Sequence, residues 1–169
     1  PGDVHFADRL LTQLEAELGR TRPVGLEIQI ESALGLLNVD EIAAASSRIE
    51  TLVFGPGDFS ASVGMPQLTV GAVDGDYAGD QWHFVLWRIL VAARAHGLQA
   101  IDGPYAQIRD ADGFLEVARR ARALGFDGKW VLHPDQIELC NDVFSPSPEE
   151  FARASRILDA YEHATGAQR

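Results

Sequence analysis

Two acidic residues, each at the end of an apolar run, are the side chains of this sequence best suited to hold a metal ion. Glu31 closes a run in which apolar residues occupy every second position from Val24 to Ile30. This period of two predicts a β-strand with one apolar and one polar face. Asp58 follows a second apolar run, residues 52–57, which ends in Gly-Pro-Gly. Parallel α/β folds keep their chemistry at the carboxyl ends of the strands, and Mg²⁺ takes one or two carboxylates together with water and substrate oxygens. The pattern therefore predicts one magnesium site at Glu31 and Asp58.

A purely structural role for both acids is the alternative. A single glutamate at a strand end is more often solvated or paired with a base than bound to a metal. The second acid, at the matching place in the next unit of the chain, favours the metal site.

The elements that would position these acids alternate between strand and helix. Strand patterns cover residues 24–31, 51–54, 99–102 and 129–134. Helical patterns cover residues 4–18, 38–45, 82–96, 112–124, 134–143 and 147–163. Four alternations without a hairpin signal predict an α/β fold with a parallel sheet.

Several helix starts and one long loop can also be predicted. Asn38 with Glu41, and Ser147 with Glu150, have the spacing of capping boxes, and an acid precedes the long apolar helix at Asp80. The glycine-rich stretch 55–79 is predicted to be a loop, of the kind that often covers an active site.

Composition narrows the class of protein. The formal net charge is −11, from 14 basic and 25 acidic residues, which argues against nucleic acid or an anionic membrane as a partner. No stretch approaches the roughly 18 consecutive apolar residues of a membrane span. The single cysteine, Cys140, cannot form an internal disulfide, so we expect a protein of the reducing cytoplasm.

Five motifs, spread in order over nearly the whole chain, resemble those of one enzyme family. They lie at residues 27–36, 54–59, 79–83, 100–105 and 125–134. On these motifs the chain resembles the citrate lyase β-subunit-like enzymes of the HpcH/HpaI aldolase group, and within that group the malyl-CoA and β-methylmalyl-CoA lyases.

The resemblance implies a TIM-type (β/α) barrel and a magnesium-dependent reaction next to a CoA thioester. It implies that Glu31 and Asp58 bind the metal, and that the backbone amides of Gly57 and Asp58 bind a small glyoxylate-type oxo-acid. It also implies that the CoA arm of an acyl-CoA lies along Leu132, His133 and Pro134. The reaction implied is cleavage of a 3-hydroxyacyl-CoA such as malyl-CoA, or its reverse, in a homo-oligomer that is a trimer or hexamer.

Two further acids are candidates for supporting roles. Asp102 ends the third predicted strand and would face the same mouth of the barrel, although stabilising its Gly-Pro turn is an equal alternative. Glu27 would point into the barrel below Glu31 and support the site. His133 could contact CoA or cap the following helix.

Part of the family's catalytic pattern has no counterpart in this sequence. The resemblance implies that an arginine from an earlier strand stabilises the thioester enolate formed during the reaction. It also implies that an aspartate from a late C-terminal segment is the acid–base group. We therefore expect residues 1–169 to form a single domain without internal boundary, the later half of an eight-unit barrel, and to be inactive alone. A malyl-CoA thioesterase, an aldolase acting on free oxo-acids, or a non-catalytic binding or assembly module remain alternatives.

Overall fold

Four parallel strands and eight helices make up the described part of the chain, in a computed structural model that covers residues 1–66, 69–73, 75 and 77–166. The strands are β1 Leu26–Ile30, β2 Ile49–Phe54, β3 Gln99–Asp102 and β4 Gly128–Lys129. The helices are α1 Gly2–Glu17, α2 Ala33–Leu37, α3 Val39–Ala43, α4 Pro56–Val63, α5 His83–Ala95, α6 Ala111–Leu124, α7 Asp135–Phe144 and α8 Pro148–Gly166. None of the described helices combines the length and the apolar composition needed to cross a bilayer.

The four strands form one sheet in the order β1-β2-β3-β4, and every neighbouring pair is parallel. The prediction of an α/β fold with a parallel sheet is thus confirmed. Ile28, Leu52 and Ala100 are register partners on the face that packs against the helices. Because side chains alternate along a strand, their neighbours Gln29, Val53 and Ile101 share the opposite face. That second face is the one that a barrel turns inward.

The stretch predicted to be a loop begins instead with helix α4, so this part of the prediction is wrong. Gly55 is the N-cap and Pro56 takes the first helical position, where a proline loses no hydrogen bond because that N–H has no partner in the helix. Gly64, with a left-handed φ of 72°, ends the helix. Asp58 therefore sits in the first turn of a helix. Of the rest of the predicted loop, Gln67, Leu68, Asp74 and Asp76 lie outside the described residues.

The predicted helix starts have mixed outcomes. Asn38 does not form a capping box: it separates α2 from α3, and its side chain donates to the carbonyl of Leu34. Asn38 is still the N-cap residue of α3, without a side-chain capping bond. The preceding helix α2 is capped by Ser32, whose hydroxyl accepts from the amide of Gly35. The second box is confirmed, because Ser147 and Glu150 bond each other reciprocally at 2.7 and 3.1 Å.

The remaining two predictions concern Asp80 and the fourth strand. Asp80 does not cap α5, whose N-cap residue is Trp82 without a side-chain capping bond; its carboxylate accepts from the amide of Trp82 at 2.8 Å in the turn before the helix. The strand predicted over residues 129–134 is reduced to Gly128–Lys129. Beyond it the chain turns into α7, and the amide of Leu132 donates to the side chain of Gln136 where a strand would bond its neighbour.

Arg48 links α1 to the amino ends of β1 and β2 by hydrogen bonds. Its guanidinium donates to Asp8 at 2.6 Å and to both carboxylate oxygens of Glu15 at 2.8 and 2.6 Å. Glu15 in turn accepts from the amide of Val24, just ahead of β1, at 2.6 Å. The hydrogen bonds from Arg48 are the main cause of the lowered pKa of the Glu15 carboxyl. This network orders the end of the sheet remote from Glu31.

Candidate functional site

A cleft of about 220 Å³ lies at the carboxyl ends of the strands. Its nine described lining residues lie in β1, follow one of the four strands or come from the connection between α4 and α5: Gln29, Glu31, Gly55, Pro56, Gly57, Asp58, Val70, Pro104 and Trp130. All four βα units thus contribute to one concave surface, where parallel α/β proteins bind their ligands.

Glu31 and Asp58 stand on the walls of this same cleft. Glu31 is the first residue after β1 and is partly buried, whereas Asp58 is exposed in the first turn of α4. The partial positive charge at a helix N-terminus favours a carboxylate in that position. The predicted pair is therefore brought to one place by two different elements, a strand end and a helix start.

Gly55 allows the β2–α4 turn to approach Glu31. Its amide donates to the carbonyl of Ile30 at 3.1 Å. A Cβ atom at Gly55 would lie only 2.5 Å from the Cβ of Glu31, closer than carbon atoms can approach. A glycine is thus required here for the two acid-bearing segments to lie side by side.

The electrostatic character of the cleft is that of a cation site. Two of its nine described lining residues are carboxylates and none is a base. Within the described part of the chain no three His, Cys, Asp or Glu side chains gather into a metal-binding group. The chain thus offers two carboxylates, with the amide oxygen of Gln29 on the same surface. This hard-oxygen set fits an ion such as Mg²⁺, which keeps several positions for water and substrate.

The amides of Gly57 and Asp58 belong to the first turn of α4. The first N–H groups of a helix have no carbonyl one turn earlier to bond, so they are suited to bind an anionic group. This placement is compatible with the predicted binding of an oxo-acid by these two residues.

Leu132, His133 and Pro134 do not line the cleft, and all three are exposed. The His133 Nδ1 accepts from the amide of Asp135, the first residue of α7, at 3.2 Å. Pro134 is the N-cap residue of the same helix. Their predicted contact with a CoA arm stays a prediction, and it would have to be made outside the cleft.

Asp102 does not face the cleft as its position at a strand end suggested. It lies two residues after Ala100, on the helix-facing side of β3, and its side chain is buried. One oxygen accepts from Lys129 Nζ at 2.7 Å and the other from the amide of Gly103 at 2.8 Å. The role that the structure displays is stabilisation of the turn that leads to Pro104.

Glu27 lies on the polar face of β1 but is exposed and does not line the cleft. Two basic residues, Arg88 and Lys129, have partners away from the cleft. Arg88 is on α5 and pairs with Asp40 at 3.1 Å, and Lys129 is buried against Asp102. Neither reaches the cleft lining.

Sequence reasoning missed Gln29, Val70, Pro104 and Trp130 as lining residues. Gln29 could have been found, since the alternation that places Glu31 on the inward face of β1 places Gln29 there too. Trp130 directly follows the last strand residue. Val70 carried no local signal, because it lies in a connection whose path depends on tertiary contacts.

Comparison with known proteins gives relatives over nearly the whole chain. The family HpcH/HpaI aldolase/citrate lyase matches residues 1–134. An L-malyl-CoA/β-methylmalyl-CoA lyase of Cereibacter sphaeroides is 42% identical over 96% of this chain and 54% of its own length. A (3S)-malyl-CoA thioesterase of Cereibacter sphaeroides is 38% identical over 89% of this chain and 50% of its own length. The chain thus spans about half the length of the curated relatives it matches.

Solved structures of related proteins also match this chain over about half of their own length. A citrate lyase from Burkholderia xenovorans superposes with a TM-score of 0.80 at 28% identity, over 96% of this chain and 52% of that one. The protein CitE from Mycobacterium tuberculosis, in complex with magnesium, acetoacetate and coenzyme A, superposes with a TM-score of 0.66 at 33% identity. That match covers 85% of this chain and 52% of the other. With a family match over residues 1–134 and these neighbours, the chain belongs to the HpcH/HpaI aldolase/citrate lyase family.

Proposed function

We propose that this chain carries the metal-binding and oxo-acid-binding part of a carbon–carbon lyase. The reaction is cleavage of a 3-hydroxyacyl-CoA such as malyl-CoA to glyoxylate and an acyl-CoA, or the reverse condensation. The observation that carries the proposal is the pairing of Glu31 with Asp58 in a cleft whose described lining has no base. Residues 1–169 would form one domain that supplies the later four units of a (β/α)8 barrel.

Glu31 and Asp58 would hold a magnesium ion by their carboxylate oxygens. The bound ion would supply Lewis-acid polarisation of the oxo-acid carbonyl and neutralise its carboxylate. The proposal is supported by relatives named for malyl-CoA chemistry and by a structural neighbour that contains magnesium and coenzyme A. The proposal agrees with the charge of the cleft, because two carboxylates with no base among the described lining residues repel an anionic acid but attract a cation.

Cleavage begins when the 3-hydroxyl group loses its proton, and the oxygen's electrons form the new carbonyl bond of glyoxylate. The bond between carbons 2 and 3 breaks at the same time, and the electrons of that bond form the thioester enolate. Carbon 2 then takes up a proton to give the acyl-CoA. In this chain, the amides of Gly57 and Asp58 would orient the oxo-acid, while Val70, Pro104 and Trp130 form an apolar wall that limits water. The base and the partner of the enolate would come from residues other than these lining residues.

The test uses the full-length protein that contains this sequence. Glu31→Gln and Asp58→Asn should each weaken Mn²⁺ binding, followed by electron paramagnetic resonance, and should lower glyoxylate release from malyl-CoA by about 10²-fold or more, since metal ligands contribute several kcal/mol. Glu41→Gln and Asp142→Asn are matched controls, because both side chains are exposed on helices away from the cleft. Unchanged metal affinity in both site variants would refute the metal assignment.

Hydrolysis of the thioester is the second candidate, because the chain is also 38% identical to a (3S)-malyl-CoA thioesterase. The two reactions give different products from malyl-CoA. A lyase releases glyoxylate and acetyl-CoA, whereas a thioesterase releases malate and free CoA. Chromatography of the products separates them, and malate without glyoxylate would replace the lyase by the thioesterase.

A further inference from the structure

Val70 is the one described lining residue of the cleft that comes from the connection between α4 and α5, and it is among the apolar ones. The carboxylates of Glu31 and Asp58 lie on other parts of the same surface. An oxo-acid in the cleft would therefore meet oxygen ligands on one side and a branched apolar side chain on another.

Hydrogen bonds hold the chain in place at Val70 and on both sides of it. Its carbonyl accepts from the amide of Ala106 at 3.0 Å. One residue earlier, the Thr69 hydroxyl accepts from the side chain of Gln107 at 3.0 Å. Two residues later, the carbonyl of Ala72 accepts from the indole Nε1 of Trp82 at 2.8 Å. The position of Val70 is thus set by hydrogen bonds of its own carbonyl and of the neighbouring residues Thr69 and Ala72.

Two buried residues make these contacts rigid. Trp82 is fully buried, with its ring 5.3 Å from that of Phe54 in an edge-on arrangement. Gly71 has a left-handed φ of 83°, and a Cβ atom there would collide with the carbonyl oxygen of Pro104. The segment 69–73 therefore lies directly against the turn after β3, and it cannot move away from the cleft without breaking these contacts.

The space between Val70 and α4 has a definite size. A methyl group placed on Gly57 would lie 3.5 and 3.6 Å from the two γ-carbons of Val70, which is ordinary van der Waals contact. At Gly57 the γ-carbons of Val70 therefore leave room for about one methyl group. An oxo-acid whose oxygens are bound by the amides of Gly57 and Asp58 would lie against Val70.

From this geometry we infer that Val70 is a specificity-determining residue that limits the size of the substituent on the carbonyl carbon of the oxo-acid. This inference rests on the proposed function. In glyoxylate the substituent on the carbonyl carbon is a hydrogen atom, which fits below the γ-carbons of Val70. A larger acid places one or more carbon atoms there, and these compete with the γ-carbons for the same space. A hydrophobic pocket typically discriminates roughly 10–200-fold per methylene, so one side chain can set the preference.

The experiment compares glyoxylate with pyruvate as condensation partners of acetyl-CoA in the full-length protein. Val70→Ala should raise the pyruvate-to-glyoxylate ratio of kcat/KM at least tenfold, and Val70→Leu should lower it. The ratio of the dissociation constants of the two acids, measured by calorimetry with magnesium present, should shift in the same direction. Val91→Ala, an exposed valine on α5, is the matched control and should leave the ratio unchanged.

The outcomes separate the inference from the proposed function. If the parent protein condenses glyoxylate but both Val70 variants keep the ratio within about threefold, Val70 does not set specificity and only the inference fails. If the parent neither condenses nor binds either acid, the proposed function fails with it. Val70→Leu retains the test if Val70→Ala does not fold.

Discussion

The buried ion pair between Asp102 and Lys129 offers the sharpest test of how the wall of the cleft is held. The two side chains are only 4% and 1% exposed, and the Lys129 Nζ lies 2.7 Å from Asp102 Oδ2. The same Nζ donates to the carbonyl of Gly103 at 2.5 Å. The backbone carbonyl of Asp102 accepts from the amide of Trp130 at 2.9 Å. The pair thus connects the turns that carry two cleft residues.

We expect Lys129→Met to destabilise the full-length protein by about 3–5 kcal/mol, because it leaves the Asp102 carboxylate buried without its counter-charge. The double variant Lys129→Met with Asp102→Asn should recover a large part of this loss. Its neutral amide oxygen can still accept from the amide of Gly103, while no buried charge remains unpaired. Urea unfolding followed by circular dichroism gives the free energies of unfolding.

A matched control is available on the surface. Arg88 pairs with Asp40 at 3.1 Å, but the two side chains are 38% and 57% exposed. Arg88→Met should therefore change the free energy of unfolding by less than about 1 kcal/mol. The reasoning would be refuted if Lys129→Met cost no more than this control, or if the double variant were less stable than the single one.

Three further predictions concern other parts of the chain. Gly55→Ala should weaken Mn²⁺ binding in an electron paramagnetic resonance titration, since the added Cβ would lie 2.5 Å from that of Glu31 and must push it aside; an unchanged affinity would show that this turn does not position the acid. If the CoA arm follows the exposed segment before α7, Leu132→Glu should weaken CoA-thioester binding in calorimetry, because the new side chain adds a negative charge beside an anionic cofactor. Equal affinity would show that this segment is not part of the site. Because Arg48 lowers the pKa of the Glu15 carboxyl, this interaction stabilises the fold above the unfolded pKa, near 4.5, and is lost as the pH falls through the lower folded value. The stability difference between the wild type and Glu15→Gln in urea unfolding should thus shrink on acidification, and a difference that grew in acid would contradict the assignment.

Local patterns in the sequence were sufficient for the fold class and for the position of one acid. The alternation from Val24 to Ile30 predicts β1 and places Glu31 at its carboxyl end, because side-chain direction in a strand follows from the backbone alone. The reciprocal cap between Ser147 and Glu150 was likewise predictable, since both partners lie within one turn of chain. Strand and helix alternation was enough to predict a parallel sheet.

Where local signals were ambiguous, the prediction failed. Gly-Pro-Gly is compatible with a turn or with the start of a helix, and α4 forms because its first turns pack Phe59 into the core and bury Pro56. Asp102 could be placed at a strand end, but the strand's register with β4 and the buried amine of Lys129 decide that its side chain faces the helices.

The composition of the cleft is a property of the tertiary structure. The sequence by itself determined that Glu31 and Asp58 follow neighbouring strands, because each assignment depends on residues close by in the chain. That Val70, Pro104 and Trp130 complete the cleft depends on contacts between segments distant in the chain, including the approach of Gly71 to Pro104 and the hydrogen bond from the amide of Trp130 to the carbonyl of Asp102. Such contacts depend on how the whole sheet packs against its helices. The sequence around the contacting residues therefore shows no periodic pattern that would predict them.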